Sequence, residues 1–473
     1  MNTKTIRNIH PFCSIIVLNY QGENVIGSCL NSIWELDYPK NRLEVIVVDN
    51  NSLDNSKNIL SKIAKDHSNL KLIFLDKNYG FSIGNNFGIK EAKGEYVVLL
   101  NNDCTVEKNW LKELVKTATN HPKVFAVNSK ILLYPKYINL SFDFDPCLTP
   151  LYSWISKSNM YFFNKKRIYL TLMKNETGFQ SEIPFDPKED LEIELLFVFN
   201  CGKAIKSKDI KSLIKFHTQG VEIAQCNSAK NEVSYKVKID LKNKEVNKQA
   251  FSKIQNAGIM PFQDGYARDI GAIVKDSRQY YEHDKGLYDK EVEVYANCGA
   301  AIFMNKAILD KIGYLDESFF MYYEDIELSE RARLRGYKIY YSPKALVRHL
   351  HALSSGEGSN FFVYHVEKGR LLHVFLNFPL RVFFDEYIKV ILLIIYGIAK
   401  AILRLRHIRS FSKKQNKEKP SYKLKIQMIY VLSFFITRFI WLAYLRYKKN
   451  TALEKGAVLN NYNEILSGRW YFE

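Results

Sequence analysis

The chain reads as an α/β protein: a mostly parallel sheet, interrupted by an inserted β-rich domain and followed by a basic helical tail. Three observations predict this. Apolar strand-like runs alternate with helical stretches from Ser14 to Asp103, the spacing of right-handed βαβ units. Alternating polar and apolar residues in 191–199, 212–224 and 232–241 suit antiparallel strands. Between Leu380 and Asn450, 16 Lys and Arg face three acids, Asp385, Glu386 and Glu418, which places +13 of the net +18 in the tail.

In order, SIIVLN (14–19) is a strand ending in Asn19, followed by a helix through 28–36 that Tyr38-Pro39 closes. LEVIVVD (43–49) is a second strand, ending in Asp49-Asn50-Asn51-Ser52, and 70–75 a third. Gly80, Gly84 and Gly88 recur every four residues in NYGFSIGNNFG (78–88). Asn78, Asn85 and Asn86 exclude an apolar membrane span there. The stretch reads as a helix with a smooth face that lets backbone approach a ligand, close packing against the sheet being the alternative. EYVVLLNND (95–103) then gives a buried strand, Tyr96 to Leu100, ending in Asn101-Asn102-Asp103. Taken alone, that cluster suits either a ligand site or a turn with a helix cap. Three strands ending in Asn19, Asp49 and Asp103 converge on one sheet edge, however, where open α/β sheets place ligands.

At 473 residues the chain has room for about two to four domains. Seven scattered cysteines without C-x-x-C spacing argue against a zinc site or a disulfide framework and suggest a reducing compartment. The apolar run near the N-terminus, Ile15 to Leu18, is too short for a signal-peptide core, so no export is expected.

The runs SIIVLNY, VIVVDNNSLDNS, NYGFSIGNNFGI and GEYVVLLNND, in that order, resemble the nucleotide-binding half of glycosyltransferase family 2, with its GT-A fold. The resemblance implies a nucleotide-sugar donor held by Asn19, Asp49, Asn51, Asn78, Gly80, Asn85 and Asn102. It makes Asp103 the metal ligand of a D-x-D-like motif whose first position is here Asn101. The metal would be Mn²⁺ or Mg²⁺ and the donor a UDP- or dTDP-sugar.

Residues 1–144 are thus expected to form the nucleotide-sugar half, 145–250 the insertion, 251–379 the acceptor half and 380–473 the tail. The insertion reads as a structural cover, or as a surface for carbohydrate, partner or acceptor. Residues 254–258 and 264–269 resemble a segment of the rhamnosyltransferase-like branch. YANCGAAIFM (295–304) is a strand rich in small residues.

FFMYYEDIELSERARLRG (319–336) carries the second acidic cluster. Glu324 and Asp325 favour the positive end of a helix dipole. Their aromatic approach also raises a carboxylate's pKa towards that of a general base. The stretch resembles the family's acceptor-side E-D motif, which implies Asp325 as base and Glu324 as its support. Strands are expected at 337–341 and 345–351, with His349 and His351 two apart on one face. The resemblance places His349 with the metal or diphosphate. Lys368 and Arg370 either reach the diphosphate or sit on a solvated helix face.

In the tail, VILLIIYGIA (390–399) is too short to span hydrocarbon, and MIYVLSFFITRFIWLAYL (428–445) holds Arg438 inside its apolar run. Basic flanks on aromatic-apolar helices point to peripheral or monotopic attachment to an anionic membrane surface, on the cytoplasmic face of the plasma membrane. One span over 428–445 and a soluble helical tail are the alternatives. No nucleic-acid motif accompanies the basic charge.

The expected activity is that of an inverting, metal-dependent glycosyltransferase acting on a glycan or polyprenyl-lipid-linked acceptor in cell-surface polysaccharide synthesis. Leu466 stands where the Q-x-x-R-W of processive synthases has Gln, so one or few sugars would be transferred. A sugar nucleotidyltransferase would need a Gly-rich, basic loop after the first strand, which Asn19-Tyr20-Gln21-Gly22 does not supply. A non-catalytic carbohydrate-binding or scaffold protein on a decayed transferase fold is the alternative from another class.

Overall fold

A computed structural model of the chain describes residues 10–144, 149–158, 168–169, 173–175, 178–185, 191–200, 214–216, 221–229, 232–239, 248, 250–275, 278–350, 359–408, 421–451, 453–454 and 456–470. It divides into two compact units. One comprises 1–131, 255–280 and 286–473, the other 132–254 and 281–285.

The first unit begins β1 (Cys13–Asn19), α1 (Ile26–Trp34), β2 (Leu43–Asp49), α2 (Ser56–Ile63), β3 (Leu70–Phe74), α3 (Gly80–Glu91), β4 (Tyr96–Asn101), β5 (Cys104–Val106), α4 (Trp110–Asn120) and β6 (Val124–Leu133). β3, β2, β1 and β4 are parallel neighbours, as the alternating pattern requires. Beyond β4 the sheet turns antiparallel: Ala301–Asn305 lies between β4 and β6. The result is the GT-A-like α/β architecture. β1, β2 and β4 carry near-continuous apolar runs, Ile15–Leu18, Val45–Val48 and Val97–Leu100, because both faces are covered. Val17, Val45 and Val98 pack with Ile26, Leu30 and Ile33 of α1 and with Trp110, Leu111 and Leu114 of α4. Asn19 lies beside Asp49 and Leu18 beside Asn101, so three polar strand ends share one edge.

Two expectations change. Residues 338–349 form one strand, Lys338–His349, rather than two. Pro343, which cannot donate to a ladder, falls between two patches of pairing, Tyr340–Tyr341 with Val292–Glu293 and Val347–His349 with β5. The glycine stripe of α3 serves packing more than ligand approach. A Cβ on Gly84 would lie 2.6 Å from Leu18 Cδ1, and one on Gly88 2.4 Å from Ile16 Cγ2, so both glycines let α3 sit directly on β1. Gly80 differs: its φ of +80° favours glycine, and a Cβ there would meet the Phe320 carbonyl oxygen at 2.4 Å.

The segment Leu315–Phe320 docks on α3 through its backbone. Asn86 Nδ2 donates to the Leu315 carbonyl (2.9 Å), and Leu315 N–H donates to Asn86 Oδ1 (3.1 Å). Phe81 N–H donates to the Phe320 carbonyl at 2.6 Å. The segment that follows ends in two tyrosines with left-handed backbone, Tyr322 (φ 68°) and Tyr323 (φ 72°). Such a conformation costs a bulky residue ~1–3 kcal/mol. Gly369 admits it: a Cβ there would stand 2.8 Å from the Tyr322 carbonyl oxygen and 3.0 Å from Tyr323 Cβ.

Four helices close the unit: Asn360–Asn377, Leu380–Ile408, Ser421–Asn450 and Ala457–Leu466. Val374, Phe383, Val390, Val431, Phe435 and Leu442 pack into one core. The opposite faces of the two long helices show apolar side chains to solvent, among them Leu392, Leu393, Ile436 and Ile440, the last 87% exposed. Residues 427–450 contain an 18-residue stretch with a mean hydropathy of 1.8 and, among the described residues, form the one helix long and apolar enough to cross a membrane. Lys449 ties this helix back to Asp316 (2.7 Å) and Glu327 (2.5 Å).

The second unit is antiparallel. Lys136–Phe144, which precedes the expected boundary at 145, pairs with Gly178–Phe185, and Leu191–Asn200 lies between Thr149–Ser158 and Glu232–Ile239. Ile138, Leu140, Phe142 and Ile183 form its buried face.

Asn86→Ala removes both bonds to Leu315 and leaves a buried N–H and C=O unsatisfied, at ~1–3 kcal/mol for each group. The expected outcome is a loss of ~2–4 kcal/mol in chemical denaturation, with Asn86→Gln failing to restore it because the longer side chain cannot reproduce the paired geometry. A loss below ~1 kcal/mol for Asn86→Ala would remove the docking role assigned to this amide.

Candidate active site

The polar strand ends open onto a cleft of about 860 Å³. Its walls come from both halves of the first unit: Tyr20, Asn50, Asn78, Gly80, Asn102 and Asp103 on one side, and Gly299, Glu324, Asp325 and His349 on the other.

Asn19 and Asp49 are fully buried beneath the cleft and do not line it. Asn19 Nδ2 donates to Asp49 Oδ2 (2.8 Å) and Ser52 Oγ (3.2 Å), while its Oδ1 accepts from Asn102 Nδ2 (2.8 Å). Asp49 Oδ1 accepts from Ser52 N–H. The pair braces the strand ends and holds Asn102 in place. Asn51 has left-handed backbone (φ 62°) and accepts from Lys57 Nζ (3.3 Å). Asn85 is buried and donates to the Phe81 carbonyl. Asn78 lines the cleft and caps the start of α3 through Gly80 N–H (2.9 Å). Asn50, missed in the sequence, is the hub here: its amide bonds Asn78 Oδ1, the Gly80 carbonyl and Tyr79 N–H.

Asp103 and His349 meet across the β5 pairing, with Nε2 3.1 Å from Oδ1. The other ring nitrogen, Nδ1, lies 2.9 Å from Gln255 Oε1. In the tautomer whose Nδ1–H donates to that oxygen, Nε2 offers a lone pair beside the carboxylate, a donor set that fits a divalent cation. Neighbouring ligands at ~2.1 Å from an octahedral ion stand ~3.0 Å apart, so the pair suits Mg²⁺ or Mn²⁺. Cys104 lies close to both, but its buried thiol faces the Ala300 carbonyl and burial pushes its pKa far up, so it is no ligand for a hard cation. Asn101 lines the cleft as a neutral amide. His351 lies outside the described residues.

Asp325 opens the Glu324–Arg333 helix. Its Oδ2 accepts from Gly299 N–H (2.7 Å) and its Oδ1 from Ile326 N–H (2.8 Å). Burial raises its pKa, and these amides oppose the rise. Glu324 is more deeply buried, and its Oε2 has no hydrogen-bond partner among the described residues. Burial, then the Asp325 charge, push its carboxyl well above the usual range. The two acids therefore divide: Glu324 holds a proton more readily, while Asp325 is fixed as an acceptor.

Among the described residues the cleft carries four acids, Asp103, Asp269, Glu324 and Asp325, and one arginine, Arg268, whose Nε is buried without a hydrogen-bond partner among them. Asp269 is braced by Asn256 Nδ2 (2.8 Å), which bonds Asn128 in turn. Nothing periodic marks Gln255, Asn256 or Asn128 in the sequence. Lys368 and Arg370 satisfy neither of their expected readings, since both are buried and neither lines the cleft. Lys368 donates to the Ser318 carbonyl (3.1 Å), and Arg370 to the Asp264 carbonyl (2.7 Å) and to Glu386 (2.9 Å). They bind the closing helix to its neighbours.

Glu324 is held protonated more tightly in the folded protein than in the unfolded chain. Its contribution to stability is therefore present at low pH and is lost as pH rises from ~4.3 toward the raised folded value. Glu324→Gln stays neutral and lacks that loss. Its Tm relative to the wild type is expected to rise between about pH 5 and about pH 8, and a gap constant across that range would contradict a raised Glu324.

Residues 14–173 match the family model described as Glycosyl transferase family 2. Among curated proteins, the chain is 35% identical over 107 residues to the Glycosyltransferase AglE of Haloferax volcanii, which covers 23% of this chain and 35% of that one. It is 35% identical over 109 residues to the Poly(ribitol-phosphate) beta-N-acetylglucosaminyltransferase TarS of Staphylococcus aureus, covering 23% of this chain and 19% of that one. The matches thus span about a third or less of these relatives. A solved structure of GalNAc-T7 with UDP, GalNAc and Mn²⁺ aligns with a TM-score of 0.45 at 12% identity, over 91% of this chain and 57% of that one.

Proposed function

We propose that this chain, whose residues 14–173 belong to glycosyltransferase family 2, is an inverting enzyme that moves a sugar from a nucleotide-sugar donor to a glycan or lipid-linked acceptor. The observation that carries the reading is the meeting, in one cleft, of the Asp103–His349 pair with the Glu324–Asp325 pair. The nucleotide lies over the ends of β1, β2 and β4, on Asn102, Asn50 and Asn78, which Asn19 and Asp49 support from below.

Asp103, Asp269 and Asp325 make the cleft unfavourable for a diphosphate unless positive charge is added. Asp103 and His349 would hold a divalent cation, which would supply Lewis-acid stabilisation for the charge on the leaving diphosphate. Arg268 adds a protein cation on the same cleft. Asp325 accepts the proton of the acceptor hydroxyl, and its two backbone donors hold the carboxylate in one orientation as that hydroxyl attacks the anomeric carbon from the face opposite the diphosphate. Glu324, protonated, adds no second negative charge beside it.

The tail holds the enzyme at a membrane. The Ser421–Asn450 helix packs Val431, Phe435 and Leu442 inward while Ile436, Ile440 and Tyr444 face out. One face on protein and one exposed apolar face suit a helix lying in the interface, as the Arg438 charge also does. Asn101, an amide where the D-x-D pattern has a carboxylate, favours a second, non-catalytic reading.

Thermal shift of the detergent-purified protein against UDP-, dTDP-, GDP- and CMP-sugars tests the donor site. One nucleotide is expected to stabilise the protein, more so with Mn²⁺, and Asp103→Ala is expected to abolish the metal-dependent part. Asp325→Asn is expected to keep that stabilisation and to lower kcat by ~10²–10⁴. Full turnover in Asp325→Asn would end the base assignment, and no shift with any donor would leave the non-catalytic reading.

A further inference from the structure

A second recess, of about 300 Å³, opens on the apolar outer face of the tail. It is lined by Tyr364, Gln427, Tyr430, Ser433, Phe434 and Arg438. Five of these six offer hydrogen-bond donors, and Tyr430 at its edge begins the exposed face of the Ser421–Asn450 helix that also carries Trp441 and Tyr444.

Arg438 has no carboxylate partner among the described residues, and its hydrogen bond is a long one to Thr437 Oγ1 (3.4 Å). Its guanidinium carbon lies 4.9 Å from the centroid of the Phe434 ring, and Lys368 Nζ lies 5.1 Å from the same centroid. Two cations thus flank one phenyl ring. Burial, followed by the Arg438 charge, pushes Lys368 down to about 8. An anion in the recess relieves this repulsion.

The recess and the cleft share a wall. Phe361, Phe362 and Val366 of the Asn360–Asn377 helix line the cleft, and Tyr364 of the same two turns lines the recess. Guanidinium, phenol, hydroxyl and amide donors match phosphate oxygens. The exposed aromatic side chains on that bordering face, Trp441 and Tyr444, match hydrocarbon chains. A soluble phosphate has no use for that apolar rim, and a neutral lipid has none for the arginine.

We infer that this recess is a subsite for the phosphate of a membrane lipid, gripped by Arg438 with Tyr364, Tyr430, Ser433 and Gln427 while the hydrocarbon chain lies along the exposed face of the Ser421–Asn450 helix. Recess and cleft are lined from the same helix, and in assigning the lipid to the acceptor side the inference rests on the proposed transferase reading.

Binding of the full chain in dodecyl maltoside to farnesyl phosphate, farnesol and inorganic phosphate tests it, with Arg438→Gln and, as a control on the neighbouring helix, Arg381→Gln. Farnesyl phosphate is expected to bind at least about tenfold tighter than farnesol or inorganic phosphate, and Arg438→Gln to lose about tenfold, while Arg381→Gln loses nothing. Flotation with phosphatidylcholine vesicles, with and without phosphatidylglycerol, separates the two lipid sources. Preference for farnesyl phosphate marks an acceptor phosphate, and equal preference for phosphatidylglycerol marks a bilayer lipid in the same subsite. Equal binding by wild type and Arg438→Gln, or inorganic phosphate binding as tightly as farnesyl phosphate, would overturn the subsite. Nucleotide thermal shift in the same preparation keeps the readings apart, because Arg438 lies outside the donor cleft: a nucleotide shift without lipid-phosphate binding removes only the subsite, and the reverse removes only the donor assignment.

Discussion

The side-chain amide of Asn86 carries much of this structure. It offers a donor and an acceptor to Leu315, as a neighbouring strand would, and joins α3 to a segment 229 residues away. Buried and complete, the pair stabilises only modestly. Broken, it strands two backbone groups in the interior. Phe320 follows five residues later, pressed onto Gly80 so closely that a side chain there would collide. These two contacts fix where the acceptor segment runs. The left-handed tyrosines and the Glu324–Asp325 pair then have one place to go. Lys449 secures the far side of the same segment through Asp316 and Glu327. The tail helix is thereby coupled to the loop that carries the acids.

Charge explains the rest of the cleft. Acids outnumber the arginine, and burial makes each acid costly. The structure divides that cost by environment. Asp325 receives backbone donors and Asp269 an asparagine, while Asp103 stands beside the Nε2 atom of His349. Glu324 receives none at Oε2 and takes up a proton instead. Two adjacent carboxyls thereby acquire different protonation, the pattern by which one site holds an acid beside a base.

The tail follows a different rule. Its long helices bury one face against the rest of the first unit and leave the other apolar and open, the reverse of a solvated surface helix. The basic charge counted in the sequence supplies the electrostatic half of such a surface. The inward lysine and arginine of the closing helix, Lys368 and Arg370, belong instead to its internal wiring.

What the sequence by itself determined is what local patterning encodes. Continuous apolar runs marked β1, β2 and β4, and the Asn and Asp at their ends marked the edge on which the cleft opens. Glycine spacing marked α3, and the acids after an aromatic run marked the start of the Glu324–Arg333 helix. The tertiary structure decided which of those residues face the cleft. Asn19 and Asp49 turned inward to brace it, because strand pairing sets their side chains against each other at the buried edge. Gly84 and Gly88 turned toward β1, because a helix lying on a sheet needs room for Leu18 and Ile16. Asn50, Gln255, Asn256 and Arg268 gained their roles from partners distant in sequence or from the cleft itself. No period or spacing records such partners, since hydrogen bonds between remote segments exist only after the chain has folded.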